Sequence, residues 1–329
     1  MKTPQEQIQA GWIDGAVVLG GTRGTDFLRE AWGIADRQRK TPMRTDCVFD
    51  IASLTKVVGT APLLALCTEE GLVDFDAPFT EYLPYRGKIP APVTVRHLAT
   101  HCSGVQINYP CFPGEHEKMA RSILAEDFVR PPGVLYEYTC TGYILLGFLI
   151  EAVTGRSLEE LAAERIFAPL GMTDTRWGAP PEGALPRTIR TINADPGVIS
   201  DHGARAMAPR RTGNAGIFST ADDLAKFCRM MLGEGKGLFR SETMELFFRN
   251  QAPQGMTARS LGWNLDKTGI PRGFSSATIF HTGWTGQSMW IDPETGRFLL
   301  VLTNRFGESS PESCKGRLAI AAEALDTIS

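Results

Sequence analysis

A serine and a lysine stand three residues apart in Ser53-Leu54-Thr55-Lys56, at the start of a predicted amphipathic helix over 53–70. At that spacing the two side chains lie on one helical face, about 5–6 Å apart at Cβ. A serine hydroxyl becomes a good nucleophile only when a base takes its proton, and burial lowers the pKa of a lysine toward that role. The spacing is common by chance, so a helix-capping serine beside a surface lysine is the alternative interpretation.

Two further motifs carry side chains that could act with this pair. They are Tyr138-Thr139-Cys140 and His281-Thr282-Gly283. The first precedes a segment over 142–154 that is apolar nearly all round, which predicts a deeply buried helix. The second lies on a predicted strand near the end of the chain.

Strand patterns occupy the two ends of the chain, and helical patterns lie between them. Apolar runs bounded by turn residues predict strands at 15–21, 26–33, 260–265, 278–282, 287–292 and 298–304. Helical periodicity predicts further helices at 95–100, 158–166, 220–232 and 313–328. The segment 178–216 is rich in glycine, proline and arginine, so we expect long loops there.

This distribution predicts an α/β fold with an antiparallel sheet built from both chain ends, flanked by helices, and an inserted, mainly helical lobe. One catalytic domain accounts for all 329 residues. Its α/β lobe is expected over about 1–70 and 240–329, and its helical lobe over about 71–239. The site is expected between the lobes.

Composition narrows the classes of function. Hydrophobic residues make up 43% and charged residues 22% of the chain, as in ordinary globular proteins. The 34 Lys and Arg nearly balance the 37 Asp and Glu, and a net charge of −3 argues against a nucleic-acid partner. The longest apolar stretch, 143–153, is too short to span a bilayer, so no membrane partner is expected. Nothing in the sequence indicates an oligomeric state.

Cysteine usage indicates a reducing compartment. The chain has seven cysteines and no Cys-x-x-Cys pair, so neither a disulfide framework nor a zinc site is expected. The first nine residues are polar and lack the apolar core of a signal peptide, so we expect a cytoplasmic protein. His97 and His101 could form a metal pair, but packing or helix capping is the preferred interpretation.

In their order and spacing, the three motifs resemble those of the serine β-lactamase and penicillin-binding-protein superfamily. The resemblance is strongest with its class C-like branch, whose second motif is Tyr-x-Asn. That branch includes family VIII carboxylesterases and D-alanyl-D-alanine carboxypeptidases. The resemblance covers about residues 12–325, and the segments 49–56, 72–78, 95–104 and 216–224 also look like family segments.

The resemblance implies a β-lactamase-like sandwich and a reaction through a covalent acyl-enzyme. Ser53 would be the acylated nucleophile, and Lys56 would share its proton. Tyr138 would be the general base and then the acid for the leaving group. The backbone N–H groups of Ser53 and Trp284 would form the oxyanion hole. A further set would bind the substrate: Cys140, His281, Thr282 and Gly283. No metal or organic cofactor is expected.

Two positions depart from the family pattern. Cys140 stands where Asn is usual, which replaces an amide by a weak thiol donor. This puts the recognition of β-lactams and peptides in doubt more than ester cleavage. His281 stands where Lys is commoner, so a fixed positive charge is expected to become one that titrates near neutral pH.

Some residues are candidates for the pocket wall without belonging to a motif. Asp201-His202 is either part of the cleft or, as we prefer, a surface loop. Four aromatic residues could line the pocket: Tyr109, Trp263, Trp284 and Trp290.

We therefore expect a serine hydrolase whose substrate is a small-molecule ester, amide or lactam. Small carboxylic esters are favoured over D-amino-acid peptides, and both are favoured over β-lactams. The alternatives are a D-amino-acid peptidase or carboxypeptidase, a weak β-lactamase, and a catalytically silent binding or scaffold protein with the same fold. The altered second motif supports the silent protein, and the intact Ser53, Lys56 and Tyr138 oppose it.

Overall fold

Strands contributed by both ends of the chain form one six-stranded antiparallel sheet. The computed structural model describes residues 2–105, 111–191, 194–235, 237–305 and 311–326. In chain order the strands are β1 (Ile13–Thr22), β2 (Asp26–Asp36), β3 (Thr41–Pro42), β4 (Phe49–Asp50), β5 (Arg176–Trp177), β6 (Ile217–Ser219), β7 (Ile279–Gly283), β8 (Gln287–Asp292) and β9 (Arg297–Arg305). The large sheet has the order β3-β2-β1-β9-β8-β7, and a small sheet has the order β4-β6-β5. The predicted sheet is confirmed.

Helices lie mainly between the two sets of strands. They are α1 (Pro4–Gln9), α2 (Ala61–Glu69), α3 (Val95–Ala99), α4 (His116–Ile123), α5 (Cys140–Thr154), α6 (Leu158–Ala162), α7 (His202–Ala206), α8 (Ala221–Leu232), α9 (Ser241–Phe248) and α10 (Pro311–Asp326). The predicted helices at 95–100, 142–154 and 220–232 are confirmed to within two residues at each end. Within the described residues, no helix combines the length and the apolar character that crossing a membrane requires.

The central strand β1 is buried on both faces, because helices cover both sides of the sheet. Val17 and Leu19 belong to the main apolar core, to which α8 contributes. Ala16 and Val18 point the other way, into a second cluster that includes Ile320 of α10. Burying each such larger side chain contributes roughly 1.5–3 kcal/mol. The sheet is therefore the middle layer between helices, as the pattern predicted.

The predicted helix over 53–70 is present, but it is neither regular nor amphipathic. A 3-10 turn (Ala52–Leu54) and a π-helical turn (Lys56–Thr60) precede α2, and residues 55–67 are buried all round. Thr60 Oγ1 donates to the carbonyl oxygen of Gly213 at 2.6 Å. The π-helical turn is accompanied by contacts with residues more than 150 positions away in the chain. Local sequence periodicity cannot predict such contacts.

The predicted strand over 260–265 is also wrong. The segment makes only isolated bridges, from Asn264 to Arg259 and to Phe280. Gly262 has a φ of +84° and Ser260 N–H donates to Trp263 O, so the backbone forms a tight turn instead.

The predicted long-loop segment 178–216 also contains short helical elements. These are a 3-10 turn (Glu182–Arg187) and the helix α7. The division into two lobes stays a prediction. Helix α8, which falls inside the predicted helical lobe, packs on β1, β8 and β9.

Candidate active site

The backbone before Ser53 makes a sharp turn that presents the serine. Ala52 has a φ of +44°, a left-handed conformation that costs a residue with a Cβ roughly 1–2 kcal/mol. The buried carboxylate of Asp50 holds the turn, because its oxygens accept from Ala52 N–H at 2.9 Å and Ser200 N–H at 2.7 Å. Ser53 is half-buried and lines a cleft of about 340 Å³. Local strain at this point is typical of a functional turn.

Lys56 lies directly beside the serine and is completely buried. Its Nζ donates to Ser53 Oγ at 3.1 Å, to Asn214 O at 3.0 Å and to Cys140 Sγ at 3.7 Å. Burial alone lowers the pKa of Lys56, but Cys140, Tyr138 and Asp201 outweigh it and raise the pKa above its usual value. The expectation that burial lowers the pKa of this lysine is therefore not met, because its neighbours outweigh the burial. Lys56 is an ammonium group.

The second motif contributes Tyr138 to the cleft that Ser53 lines. Tyr138 lines the cleft with 37% of its surface exposed, and Lys56 Nζ lies 5.2 Å from the centroid of its ring. Thr139 caps the buried helix α5, with its side chain accepting from Gly142 N–H at 3.2 Å. Cys140 is the first residue of that helix, which explains how its thiol comes within reach of Lys56.

The third motif lies on β7 and forms the opposite wall. His281, Thr282, Gly283 and Trp284 all line the cleft that contains Ser53. A Cβ on Gly283 would lie 2.7 Å from Ile51 O. Only glycine therefore lets β7 approach the backbone before Ser53 this closely. Thr285 Oγ1 donates to Asp50 O at 2.9 Å and ties the two segments together.

His281 does not supply the charge that its position suggested. It is buried, and its pKa lies well below the usual value because of burial and then the nearby positive charges of Arg259 and Lys56. His281 Nδ1 lies 3.0 Å from Thr282 O, which can only accept, so Nδ1 carries the proton of a neutral ring. The expected titration near neutral pH is wrong.

Two buried arginines, which the sequence motifs did not indicate, also line the cleft. Arg259 is 6% exposed and Arg317 is 2% exposed. An Arg259 amino group donates to Tyr136 Oη at 2.5 Å, and its Nε has no hydrogen-bond partner. Arg317 Nε donates to Ser288 Oγ at 2.7 Å. In the sequence, each of these arginines is a basic residue next to an apolar run. That pattern is too common to identify a site residue.

The other candidates for the pocket wall have mixed outcomes. Trp284 lines the cleft, whereas Trp263 and Trp290 are buried and are not among the lining residues. Tyr109 lies outside the described residues. Asp201 caps α7 and its charge contributes to the raised pKa of Lys56, while His202 is exposed.

The histidine and cysteine side chains were the sequence candidates for a metal site. His97 caps α3, with its Nδ1 accepting from Thr94 N–H at 3.1 Å, as the capping interpretation predicts. In the described part of the chain, no group of three or more His, Cys, Asp or Glu could hold a metal ion. The described cysteines are free thiols: Cys47, Cys67, Cys102, Cys111, Cys140 and Cys228.

The comparison with known families matches this geometry. A family model described as Beta-lactamase matches residues 3–323. The chain belongs to the Beta-lactamase family. Among solved structures, EstCE1, described as a hydrolase with promiscuous acyltransferase activity, has a TM-score of 0.81 at 21% identity and covers 97% of this chain and 96% of its own. A Beta-lactamase/D-alanine carboxypeptidase from Yersinia pestis has a TM-score of 0.76 at 20% identity, with 97% and 95% covered. These likenesses show the shared fold.

Curated relatives of this Beta-lactamase-family chain have several enzyme names. Esterase EstB from Burkholderia gladioli is 27% identical over 359 aligned positions, which cover 93% of this chain and 89% of the esterase. A putative D-alanyl-D-alanine carboxypeptidase from Escherichia coli (strain K12) is 28% identical, with 84% and 75% covered. The chain is a serine hydrolase of this family, and the predicted fold and enzyme class are confirmed.

Proposed function

We propose that the protein is a carboxylesterase that cleaves small esters through an acyl-enzyme on Ser53. The observation that carries the proposal is the fully buried Lys56 ammonium, which donates to Ser53 Oγ at 3.1 Å in a cleft lined by Tyr138. Burying an ammonium group costs solvation free energy. Its position beside a serine hydroxyl and a phenol therefore supports a functional role for these three groups. The substrate is a small molecule, and a cytoplasmic location stays a prediction.

The reaction proceeds by two acyl transfers. Ser53 Oγ attacks the ester carbonyl carbon while its proton passes to Tyr138 Oη, the proposed general base, which lies beside the ammonium of Lys56. The carbonyl oxygen becomes an anion and is bound by the backbone N–H groups of Ser53 and Trp284. The ester C–O bond then breaks, and the leaving alcohol takes the proton from Tyr138. Water then attacks the acyl-enzyme carbonyl carbon and gives a proton to Tyr138. The bond between the acyl carbon and Ser53 Oγ breaks, Ser53 Oγ takes that proton back from Tyr138, and the carboxylic acid is released.

Two observations support esters as the substrate class. Cys140 offers only a weak donor where an acyl amide would need a strong one. The relative named Esterase EstB aligns with 93% of this chain. A simple ester has no acyl-amide carbonyl beside the cleaved bond that needs a donor, so the weak thiol donor costs it little.

The buried arginines favour a second candidate function, a D-amino-acid carboxypeptidase. The side chains of Arg259 and Arg317 line the cleft, and guanidinium groups are well suited to bind a substrate carboxylate. Relatives named as putative D-alanyl-D-alanine carboxypeptidases have the same family fold. Initial rates on p-nitrophenyl butyrate, a D-alanyl-D-alanine peptide and nitrocefin separate the esterase, the carboxypeptidase and the weak β-lactamase. A silent scaffold hydrolyses none of them.

The decisive test replaces the nucleophile. In Ser53→Ala, ester turnover and covalent labelling by a fluorophosphonate probe are both expected to disappear, with kcat falling several orders of magnitude. Intact-mass spectrometry of the wild type should show one added phosphonyl group, and a peptide map should place it on Ser53.

The matched control is Ser122→Ala, which removes a half-buried serine from α4. This control should label and turn over like the wild type. Near-normal turnover in a folded Ser53→Ala protein contradicts the proposal.

A further inference from the structure

His101 occupies a backbone position that usually belongs to glycine. Helix α3 ends in a Schellman motif, with Cys102 N–H donating to His97 O at 2.9 Å and His101 N–H donating to Leu98 O at 3.3 Å. His101 is the residue with left-handed backbone there, at a φ of +58°. A side chain kept at such a position against the steric preference indicates that the side chain has a role.

The contacts of His101 are made with both neighbours of Tyr138. Its carbonyl oxygen accepts from Glu137 N–H at 2.9 Å, and its ring Nδ1 accepts from Thr139 N–H at 3.3 Å. The imidazole ring also lies against the Tyr138 ring, with 4.4 Å between centroids and 37° between planes. His101 therefore accepts hydrogen bonds from the backbone on each side of Tyr138, and its ring packs against the Tyr138 ring.

The tautomer of this imidazole follows from the same contacts. Because Thr139 N–H is a donor, Nδ1 must be unprotonated and the proton lies on Nε2. Burial, then the positive charges of Arg259 and Lys56, hold the pKa of His101 well below its usual value, so the ring stays neutral. A neutral ring is able to stack on Tyr138 without adding a charge that would compete with Lys56.

We infer that His101 is a positioning residue for the general base: its neutral imidazole fixes Tyr138 against the ammonium of Lys56. The inference rests on the proposed function, since it needs Tyr138 to move protons. His101 is not among the residues that line the cleft, so it acts through Tyr138 rather than on the substrate. A displacement of about 1 Å in a catalytic group can cost on the order of a hundredfold in rate.

The test uses two substitutions that keep the backbone turn. His101→Gly suits the left-handed conformation and removes the ring. His101→Asn also tolerates that conformation and keeps an acceptor near the place of Nδ1. We expect kcat to fall about ten- to hundredfold in His101→Gly with a small change in KM, and about half of that logarithmic loss to be recovered in His101→Asn.

A double-mutant cycle with Tyr138→Phe separates positioning from general damage. In the Tyr138→Phe background, His101→Gly should lower the residual kcat less than about threefold. An equal loss in both backgrounds overturns the inference, as does a wild-type rate in either His101 variant. His97→Ala is the matched control, because His97 lies four residues away and only caps α3. It should lower the melting temperature and leave kcat unchanged.

The outcome also distinguishes this inference from the proposed function. A wild type that neither hydrolyses esters nor reacts with the fluorophosphonate overturns both. A wild type that does both, together with a fully active His101→Gly, overturns only the role of His101.

Discussion

Lys56 keeps its proton beside Ser53, and this determines which side chain can move protons. An ammonium that already donates to Ser53 Oγ, Cys140 Sγ and Asn214 O has no lone pair with which to act as a base. Its raised pKa reflects the partners that surround it. In the proposed mechanism the proton of Ser53 therefore passes to another group, and Tyr138 is the side chain of the second motif that lines the cleft.

Cys140 determines how the site treats an acyl amide, and its replacement gives a prediction. Cys140→Asn should raise kcat/KM on nitrocefin and on a D-alanyl amide relative to p-nitrophenyl butyrate. An asparagine can accept from Lys56 through its oxygen and donate to the acyl amide through its nitrogen. One good neutral hydrogen bond contributes about 0.5–1.5 kcal/mol, so we expect a roughly two- to tenfold change in the amide-to-ester ratio.

Cys140→Ala is the control, because it removes the thiol without adding a donor. It should not raise the ratio. A parallel loss on all substrates with a lower melting temperature indicates a clash of the larger side chain. An unchanged ratio in a well-folded Cys140→Asn protein means that position 140 does not select the substrate.

Some residues of the site are recognisable from sequence motifs, and others are recognisable only from the structure. Ser53, Lys56 and Tyr138 belong to short motifs, and the structure brings them together in one cleft. Arg259 could not be found in that way, because its partner Tyr136 is 123 residues distant in sequence. The neutral state of His281 was equally inaccessible, since it depends on burial and on that same arginine.

At the scale of elements, apolar patterning located α5 but did not show the irregular form of the helix that carries Ser53. Thr139 and Gly155 stand at the two ends of α5, as a cap residue and a left-handed glycine. The π-helical turn (Lys56–Thr60) instead accompanies hydrogen bonds to Gly213 and Asn214. Only tertiary contacts of this kind distinguish the π turn from an ordinary helix.

The cap of α5 gives a second prediction. Thr139→Ala removes the hydroxyl that accepts from Gly142 N–H at 3.2 Å, in a residue only 4% exposed. We expect a loss of about 1 kcal/mol in the free energy of unfolding, measured by urea denaturation at constant m-value. We also expect a lower kcat, because the first turn of α5 orients Tyr138 and Cys140.

Thr139→Ser is the matched control, since it keeps the oxygen and removes only a methyl group. It should retain most of the stability and the activity. If Thr139→Ala unfolds at the same urea concentration as the wild type, the hydroxyl does not stabilise the helix.

At the scale of the whole molecule, strands from opposite ends of the chain pair directly, as β1 does with β9. Strand patterns at both ends made this arrangement predictable, because one closed core must bury both sets. The small sheet of β4, β5 and β6 was not predictable, since strands of two or three residues carry no periodicity. This sheet pairs the segment before Ser53 with Phe218, and so it helps to position Ser53.

Buried neutral histidines make the stability of the whole molecule depend on pH, which is the last prediction. The pKa values of His101 and His281 lie well below the usual value in the folded protein, first because of burial. In the unfolded chain both should titrate near pH 6.5. Below that pH the unfolded state binds more protons, so folding stability falls as the pH falls, by up to about 1.4 kcal/mol per pH unit for each histidine.

The measurement is the free energy of unfolding in urea at pH 7.5, 6.5 and 5.5. We expect little change between the first two values and a clear decrease at the third. The direction of the change separates the histidines from Asp14 and Asp50, because a carboxyl group whose pKa is raised by folding makes stability rise as the pH falls. His281→Gln should lower stability at pH 7.5 but make the decrease shallower, whereas His116→Gln, at a side chain 34% exposed, should leave the slope unchanged. A wild-type stability that is flat from pH 7.5 to 5.5 would mean that the buried histidines accept protons without opening the fold.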